Sequence, residues 1–264
     1  MDAVKNNHRT LICSDLKNEN GIYTIDFEDF EKKIIEHNVK LFILCSPHNP
    51  AGRVWKKEEL KRLFEICKKH HVFVVSDEIH QDLVFGENKH IPSLSIGDYD
   101  DMMVSIAAAS KTFNIAGAQN SMVIIPDKKL RKKWDAYTKG NRIQGGNTFG
   151  YVAAQAAYAG GKEWLDQVLK QIDENYRYLK AELAEKMPEA IVTPLEGTYL
   201  CWINLKAYVS ADDIKEVIQK KCHLAVDYGD WFGGERFGTF IRMNLATSME
   251  NVKTGVEALI NNLK

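Results

Sequence analysis

The spacing of apolar and polar positions predicts a first half in which strands alternate with helices. Four apolar runs have the length of strands: 41–45, 72–75, 102–107 and 122–125. Residues 56–71 place four apolar side chains on one helical face: Leu60, Leu63, Phe64 and Cys67. Because the strands are apolar on both faces, they are typical of a mainly parallel sheet sandwiched by helices. We therefore predict an α/β fold for this half.

The second half follows a different pattern and begins with one long amphipathic stretch, 162–186, which ends before Pro188. Beyond it the pattern predicts a strand at 198–203, a helix at about 210–221, a strand at 240–245 and a helix from 249 onward. Ser210 and Asp213 have the spacing of a capping box, with Asp in the place of the usual Glu. These elements predict a smaller α+β unit, and we place the two domains at 1–165 and 166–264.

Polar side chains follow three of the predicted strands of the first half. Asn49 lies past the first strand, Asp77 follows the second and Lys111 follows the third. In open α/β sheets, ligands bind beyond the carboxyl ends of the strands. We therefore expect an amide, a carboxylate and an amine to meet in one crevice. The neighbouring Ser110 leaves a Ser/Lys hydrolase open as a minor alternative, although no oxyanion loop is evident.

Composition and charge restrict the classes of function. The chain has 264 residues, of which 45% are hydrophobic and 27% charged, and its 35 Lys and Arg balance 36 Asp and Glu. That balance argues against a whole-chain binder of nucleic acid or of membrane surfaces. No apolar run is long enough to cross a bilayer, and the polar N-terminus lacks the apolar stretch of a signal peptide. Five scattered cysteines without a CxxC pair fit reduced thiols, so we expect a cytoplasmic protein.

Three further motifs have simple interpretations. Cys67 and His70 have a CxxH spacing, but no second ligand pair follows, so we predict no metal site. The basic run at 128–133 fits the solvated face of a helix. The loop at 231–234 fits either the mouth of a substrate site or a packed turn.

Four stretches of sequence resemble those of one enzyme family: SPHNPAGRVW at 46–55, SDEIH at 76–80, SKTFNIAG at 110–117 and GTYLCW at 197–202. Over nearly the whole chain, the sequence is similar to the fold-type I enzymes that use pyridoxal 5′-phosphate (PLP), the aspartate-aminotransferase superfamily. The order Asn49, Asp77, Lys111, Arg242 matches that family as well. The wording of the four stretches looks most like the cystathionine β-lyase, or C–S lyase, branch.

The resemblance implies a role for each residue of the predicted crevice. Lys111 would link covalently to the cofactor aldehyde and, once displaced by substrate, would take the Cα proton. Asp77 would keep the pyridine nitrogen protonated. Asn49 and His80 would bond the phenolic oxygen of the ring, with His80 standing where the family more often has Tyr.

The resemblance also assigns contacts to the phosphate and to the substrate. Ser110 would contact the phosphate. Arg242 would grip the α-carboxylate of the substrate with its planar guanidinium. The family commonly has an arginine eight residues after the lysine, where this sequence has Gln119. One positive charge fewer would then hold the phosphate.

Measured against the family, the chain is expected to lack an N-terminal stretch. Residues 1–38 hold only a predicted strand at 11–13 and a helix beginning near Asp26. The phosphate cup, the aromatic residue that stacks on the ring and the first strands of the large domain are not found. The expected architecture is a type I PLP-dependent transferase fold with the N-terminal part of its large domain missing.

Three functions stay open on this resemblance. The first is a C–S β-lyase that cleaves a β-thioether L-amino acid to a thiol, pyruvate and ammonia, and the second is an aminotransferase that uses the same residues. The third is a truncated remnant that binds PLP weakly, because each lost phosphate donor removes about 1.5–3 kcal/mol. We expect an amino-acid substrate, a homodimer as in the family, and neither nucleic-acid nor membrane partners.

Overall fold

The first half of the chain folds around a four-stranded sheet. The computed structural model describes residues 2–143 and 145–263. Its elements up to residue 124 are α1 (Asp2–Asn6), β1 (Lys17–Glu19), β2 (Ile22–Thr24), α2 (Phe27–Glu36), β3 (Leu41–Cys45), α3 (Lys57–Lys69), β4 (Phe73–Asp77), β5 (Met103–Ala107), α4 (Ala109–Thr112) and β6 (Met122–Ile124). The sheet order is β3-β4-β5-β6, in which β3, β4 and β5 are parallel and β6 is antiparallel to β5. All four predicted strands are present, and the fourth runs opposite to the others.

One face of this sheet packs against α2 and α3. Strand and helix residues share a core there: Leu44, Val74, Met103, Phe30 and Phe64. The helical face predicted for 56–71 is the buried one, since its four apolar side chains are at most 2% exposed. On the other face, Leu41 and Ile43 keep 48% and 51% of their surface exposed. The expected helical cover is therefore incomplete on that face within the described residues.

The second half forms an antiparallel sheet that packs against two long helices. Its elements are α5 (Lys128–Gly140), α6 (Thr148–Gly160), α7 (Lys162–Lys186), β7 (Ile191–Val192), β8 (Leu200–Asn204), α8 (Ile214–Glu216), β9 (Asp227–Tyr228), α9 (Asp230–Gly233), β10 (Phe240–Asn244) and α10 (Met249–Leu263). The sheet order is β7-β8-β10-β9. The helices α7 and α10 share one core with it, in which Ile172, Ile241 and Val256 are fully buried.

The predicted long helix at 162–186 is confirmed as α7. The predicted domain boundary between 165 and 166 falls in the first turn of α7, and it stays a prediction. Within the described part of the chain, none of the helices is both long enough and apolar enough to span a membrane.

The beginning of the chain differs in part from the prediction. Residues 11–13 do not form a strand, and the first strands are the β1–β2 hairpin. Asn18 Oδ1 accepts a hydrogen bond of 2.8 Å from the backbone N–H of Gly21, whose φ of +86° suits glycine. A polar hairpin of this kind carries no apolar run, so hydrophobic patterning overlooks it. The helix expected near Asp26 is confirmed as α2, with the Asp26 carboxylate capping its first turn.

The helix predicted at 210–221 is shorter and partly wound differently. The backbone N–H of Asp213 donates to Ser210 Oγ at 3.1 Å, as a cap requires, but regular helix covers only Ile214–Glu216. A π-helical turn follows over Val217–Lys221. The wider turn keeps Val217 and the nearby Cys222 buried in the same core.

A buried arginine joins the two halves of the chain. Arg53 is 7% exposed and donates from Nε to Glu196 Oε2 at 2.9 Å. Its Nη2 lies 3.2 Å from Glu59 Oε2, and its Nη1 donates to the carbonyl of Tyr23. The guanidinium carbon lies 4.9 Å from the centroid of the Trp55 ring. Loops from both halves therefore meet at one side chain.

The segment 196–199 is hydrogen-bonded to the loop that follows β3. The backbone N–H groups of Glu196 and Gly197 both donate to the carbonyl of Gly52, at 3.0 and 2.8 Å. A Cβ on Gly197 would lie 2.9 Å from side-chain atoms of Pro47 and Val54. Only glycine allows the two loops to approach this closely.

Candidate active site

Three predicted site residues lie near the carboxyl ends of neighbouring parallel strands. Asp77 is the last residue of β4 and is paired with Cys45, the last residue of β3. Lys111 lies in α4, the short helix that begins two residues after β5. Asn49 lies in the loop that follows β3. Because β3, β4 and β5 are parallel, these residues belong to one edge of the sheet, as expected.

Asp77 is a half-buried carboxylate close to a cation. Its Oδ1 accepts a hydrogen bond of 3.3 Å from the backbone N–H of Ile79. Burial raises the pKa of Asp77, and the charge of Glu78 raises it further, whereas the Ile79 hydrogen bond and the charge of Lys111 lower it. The net pKa of Asp77 lies above its ordinary value.

His80 is an uncharged, buried imidazole in the same site. It is 3% exposed, and its ring meets the edge of the Tyr199 ring with centroids 5.7 Å apart. Burial lowers the pKa of His80 to about 4, with contributions from the positive charges of Lys111 and Arg242. Its Nδ1 is buried and has no hydrogen-bond partner among the described residues. His80 therefore offers a neutral ring near two cations.

Arg242 connects the second sheet to this edge of the first. Its Nη1 donates to Asn49 Oδ1 at 2.6 Å, and its Nε donates to Asp227 Oδ2 at 3.0 Å. Nη2 also donates to Asp227, and the guanidinium carbon lies 4.6 Å from the centroid of the Phe232 ring. A guanidinium has five N–H groups, so these bonds leave two for a ligand.

A cavity of about 250 Å³ opens beside Lys111. It lies between α4, α7, the residue that precedes β8, and the end of β10 with the turn that follows, and its walls include Thr112, Trp164 and Tyr199. Ser110 precedes Lys111 in α4. Contacts or charges connect five of the six predicted residues, and for Ser110 the structure shows only that it precedes Lys111 in α4.

Gln119 lies beyond α4, in the place where the family commonly has an arginine. It is exposed, and its backbone adopts the left-handed conformation with φ +48°. An amide at this position adds no positive charge to the site.

Three further side chains contact the predicted site residues, and the sequence indicated a role for only one of them, as part of the loop at 231–234. Tyr199 belongs to the GTYLCW stretch, where the motif was visible but the function of its tyrosine was not. Asp227 lies opposite Arg242 in the β9–β10 ladder, and no spacing along the chain reveals such a pairing. In the loop at 231–234, Phe232 packs on Arg242 and on Trp202.

The other sequence motifs lie away from this site. Cys67 is fully buried in the core of the first half, and His70 Nε2 lies 2.7 Å from Glu31 Oε1. The described residues contain no group of three or more His, Cys, Asp or Glu side chains that would suit a metal ion. The basic run at 128–133 lies on α5, which buries none of its residues.

Comparison with known proteins finds similarity along almost the whole chain. The model of the family "Aminotransferase class I and II" matches residues 2–259. Over 258 residues the chain is 39% identical to cystathionine beta-lyase PatB of Bacillus subtilis (strain 168), a match that covers 97% of this chain and 66% of that protein.

Solved structures also show similarity along almost the whole chain. The PLP-bound C-S lyase from Staphylococcus hominis superposes with a TM-score of 0.93 at 35% identity, over 99% of this chain and 67% of that one. Cystalysin from Treponema denticola, which contains PLP, has a TM-score of 0.93 at 36% identity, again over 99% and 67%. The chain therefore spans about two thirds of the length of the proteins that it matches.

Proposed function

Because the chain belongs to the class I and II aminotransferase family, whose solved relatives bind PLP, we propose that PLP binds at the sheet edge described above. Lys111 would hold its aldehyde and Asp77 its ring nitrogen. Asn49 and His80 would bond its phenolic oxygen, and Ser110 would contact its phosphate. The observation that carries the proposal is that Asp77 ends β4 and Lys111 follows β5, the neighbouring parallel strand, with His80 in the turn just after β4.

The donor set fits the chemistry of this cofactor. A protonated ring nitrogen needs a carboxylate, and Asp77 is a half-buried carboxylate beside the lysine amine. A phenolic oxygen can bond to a neutral imidazole, and His80 is neutral with a buried Nδ1 that has no partner among the described residues. Gln119 supplies no charge, so one positive charge fewer would hold the phosphate than in the usual family pattern.

When bound, PLP withdraws electrons from the Cα of an amino acid and so makes its Cα proton acidic. Lys111, as a free amine, would take that proton. Asp77 would keep the ring nitrogen protonated. Arg242 would bind the α-carboxylate through the N–H groups that Asn49 and Asp227 leave unused.

We further propose that the protein is a C–S β-lyase that cleaves a β-thioether L-amino acid, such as cystathionine, to a thiol, pyruvate and ammonia. After Lys111 has removed the Cα proton, the thiolate would leave from Cβ. The lyases among the similar proteins support this reaction. The name of the family favours an aminotransferase as a second candidate, since the same residues serve both reactions up to loss of the Cα proton.

Titration of the protein with PLP tests the site. We expect stoichiometric binding with a visible absorbance band, which Lys111→Ala abolishes and which the exposed control Lys129→Ala leaves intact. Weak binding that is independent of Lys111 would refute the site and favour the weak-binding alternative.

Product analysis then separates the two reactions. A lyase releases pyruvate from a β-thioether amino acid without a keto-acid acceptor. Keto-acid formation that depends on an acceptor, with no pyruvate from any β-thioether tested, would establish the aminotransferase instead.

The same proposal includes a homodimer. Large apolar side chains are exposed on α5 and α6: Trp134, Tyr137, Phe149, Tyr151 and Val152. Phe149 alone is 86% exposed, and exposed apolar groups of this kind support burial in an interface. Light scattering should give the mass of two chains, and Phe149→Asp should lower it. A single-chain mass for the unsubstituted protein would contradict the dimer.

A further inference from the structure

A buried acidic side chain lies directly behind the carboxylate of the candidate active site. The backbone N–H of Glu78 donates to the carbonyl of Ile106 at 2.8 Å, so the extended backbone of β4 continues past Asp77. Successive side chains of a strand point to opposite faces, so Glu78 lies on the face opposite Asp77. Glu78 is 2% exposed.

Both oxygens of the Glu78 carboxylate have partners. Oε1 accepts from the backbone N–H of Ser93 at 3.0 Å, and Oε2 lies 3.0 Å from Nε2 of His90. The hydroxyl groups of Ser93 and Ser76 lie 2.7 Å apart beside them. Burial raises the pKa of Glu78, but the bonds to His90, Ser93 and Ser76 lower it by more. The net pKa lies below the ordinary value, so Glu78 is a buried negative charge at neutral pH.

The cluster of Glu78, His90, Ser93 and Ser76 is joined to the site through the backbone. Asp77 immediately precedes Glu78, and His80 follows it by two residues. The N–H of Gln81 donates to the Glu78 carbonyl at 2.9 Å, which closes a turn that contains His80. A carboxylate anchored on both oxygens therefore fixes the segment from which two site residues project.

The cluster also acts on the site through charge. The charge of Glu78 raises the pKa of Asp77 and so opposes Lys111. On the other side, Cys45 faces Asp77 from β3, and burial raises the pKa of its thiol to about 11, so it adds no charge at neutral pH. Lys111 and Glu78 are thus the two charges that act on Asp77 in opposite directions.

We propose that the Glu78–His90 pair is a positioning element of the active site, which fixes the segment that presents Asp77 and His80 and places a permanent negative charge behind Asp77. The role toward PLP rests on the proposed function, in which Asp77 bonds the ring nitrogen. Glu78 acts through Asp77, from the opposite face of the sheet.

The first test needs no cofactor. The carboxyl carbon of Asp77 is followed by NMR as a function of pH in protein labelled with ¹³C-aspartate, and Asp77→Asn identifies the signal. Glu78→Gln removes the charge but keeps the shape, so the titration midpoint of Asp77 should fall by roughly half a pH unit or more. Glu87→Gln removes a charge from an exposed neighbour and should leave the midpoint unchanged.

The second test uses the protein loaded with PLP. Loss of a nearby negative charge favours deprotonation of a cationic group, so the pH midpoint of the visible absorbance should move to lower pH in Glu78→Gln. We expect kcat to fall about threefold or more with KM within about twofold, because half a pKa unit at the acid–base step corresponds to about a factor of three. Glu78→Asp keeps the charge and should restore most of the midpoint.

His90 is tested by a double-mutant cycle. His90→Gln leaves the Glu78 charge buried without its imidazole partner and should lower the melting temperature strongly. Glu78→Gln combined with His90→Gln should recover part of the lost melting temperature, because no buried charge is left without a partner. If Glu78→Gln alone does not fold, the double variant is used to measure the Asp77 midpoint and the midpoint of the visible absorbance.

The outcomes separate the inference from the function. An unchanged Asp77 midpoint in folded Glu78→Gln would overturn the inference and leave Glu78 a purely structural group. The Asp77 midpoint could instead fall as expected in Glu78→Gln while the protein shows no PLP binding that depends on Lys111. That result would overturn the proposed function and would still support the effect of Glu78 on Asp77.

Discussion

Arg53 offers the sharpest test of how the two halves of the chain are held together. We predict that Arg53→Met strongly destabilises the fold while preserving most of the buried volume. The guanidinium is 7% exposed and bonds to Glu59, to Glu196 and to the Tyr23 carbonyl. Methionine fills the space beside Trp55 but makes none of these bonds.

The magnitude follows from the partners that remain. Removing one member of a buried ion pair costs about 3–5 kcal/mol, because the other charge is left unpaired. Here both carboxylates keep one backbone donor: Glu59 accepts from Lys56 at 2.8 Å, and Glu196 accepts from Val54 at 2.9 Å. Their side chains are also 20% and 28% exposed. We therefore expect the lower end of the range, about 3 kcal/mol.

Urea unfolding monitored by circular dichroism measures this loss. At about 2–4 °C per kcal/mol for a chain of this size, the melting temperature should fall by roughly 6–12 °C. Arg53→Lys keeps a charge but loses the planar fork, so it should fall between Arg53→Met and the unsubstituted protein. Adding Glu196→Gln to Arg53→Met should recover part of the loss, since one stranded carboxylate is removed.

A loss below about 1 kcal/mol in Arg53→Met would refute this reasoning, because it lies within the range of an exposed ion pair. Failure of Glu196→Gln to recover any stability would show that the loss comes from packing against Trp55 instead.

Three further predictions follow from groups described above or from the core. The pKa of His80 is about 4 in the folded protein and about 6.5 in the unfolded chain. Its contribution to the free energy of unfolding is therefore fully present above pH 6.5. As the pH falls toward 4, up to about 3 kcal/mol of it is lost. His80→Gln should flatten the dependence of the urea midpoint on pH in that window, and an unchanged slope would contradict this. Asn175→Ala should lower the free energy of unfolding by about 2–4 kcal/mol, as measured by denaturant titration. The fully buried amide donates at 2.9 and 2.8 Å to two carbonyls of the turn after β10, and a near-neutral result would show that water replaces it. Gly197→Ala should lower stability by about 1–3 kcal/mol because its Cβ would press on two packed side chains, and an unaltered thermal midpoint would rule out the close approach.

Local patterns predicted the part of the site that depends on the strand ends. Asp77 and Lys111 each follow an apolar run, and parallel strands bring such positions to one edge whatever the rest of the chain does. The core face of α3 was predicted for a similar reason, because a 3.6-residue period is a local property. The roles of the side chains came from the resemblance of four motifs, and they remain to be tested.

The parts that were not predicted depend on contacts between distant segments. Asp227 meets Arg242 only because of the register of β9 against β10. His90 lies twelve positions after Glu78 in the chain, and although Glu78 belongs to the SDEIH stretch, no spacing along the sequence reveals that the two side chains pair. The π-helical turn at 217–221 fits the shape of the core that it packs against. The periodicity of apolar residues along the sequence carries no information about that shape.

The hydrogen bond between Arg242 and Asn49 has a thermodynamic consequence, because β10 belongs to one sheet and the Asn49 loop to the other. On the proposed function, the α-carboxylate binds the two N–H groups that Asn49 and Asp227 leave unused, so it adds to this bond and does not replace it. The bond holds the guanidinium in place before the carboxylate arrives, so less conformational entropy is lost on binding than for an unrestrained side chain. Because the same bond joins the two sheets, occupancy of the carboxylate site and the relative freedom of the sheets are reciprocally coupled.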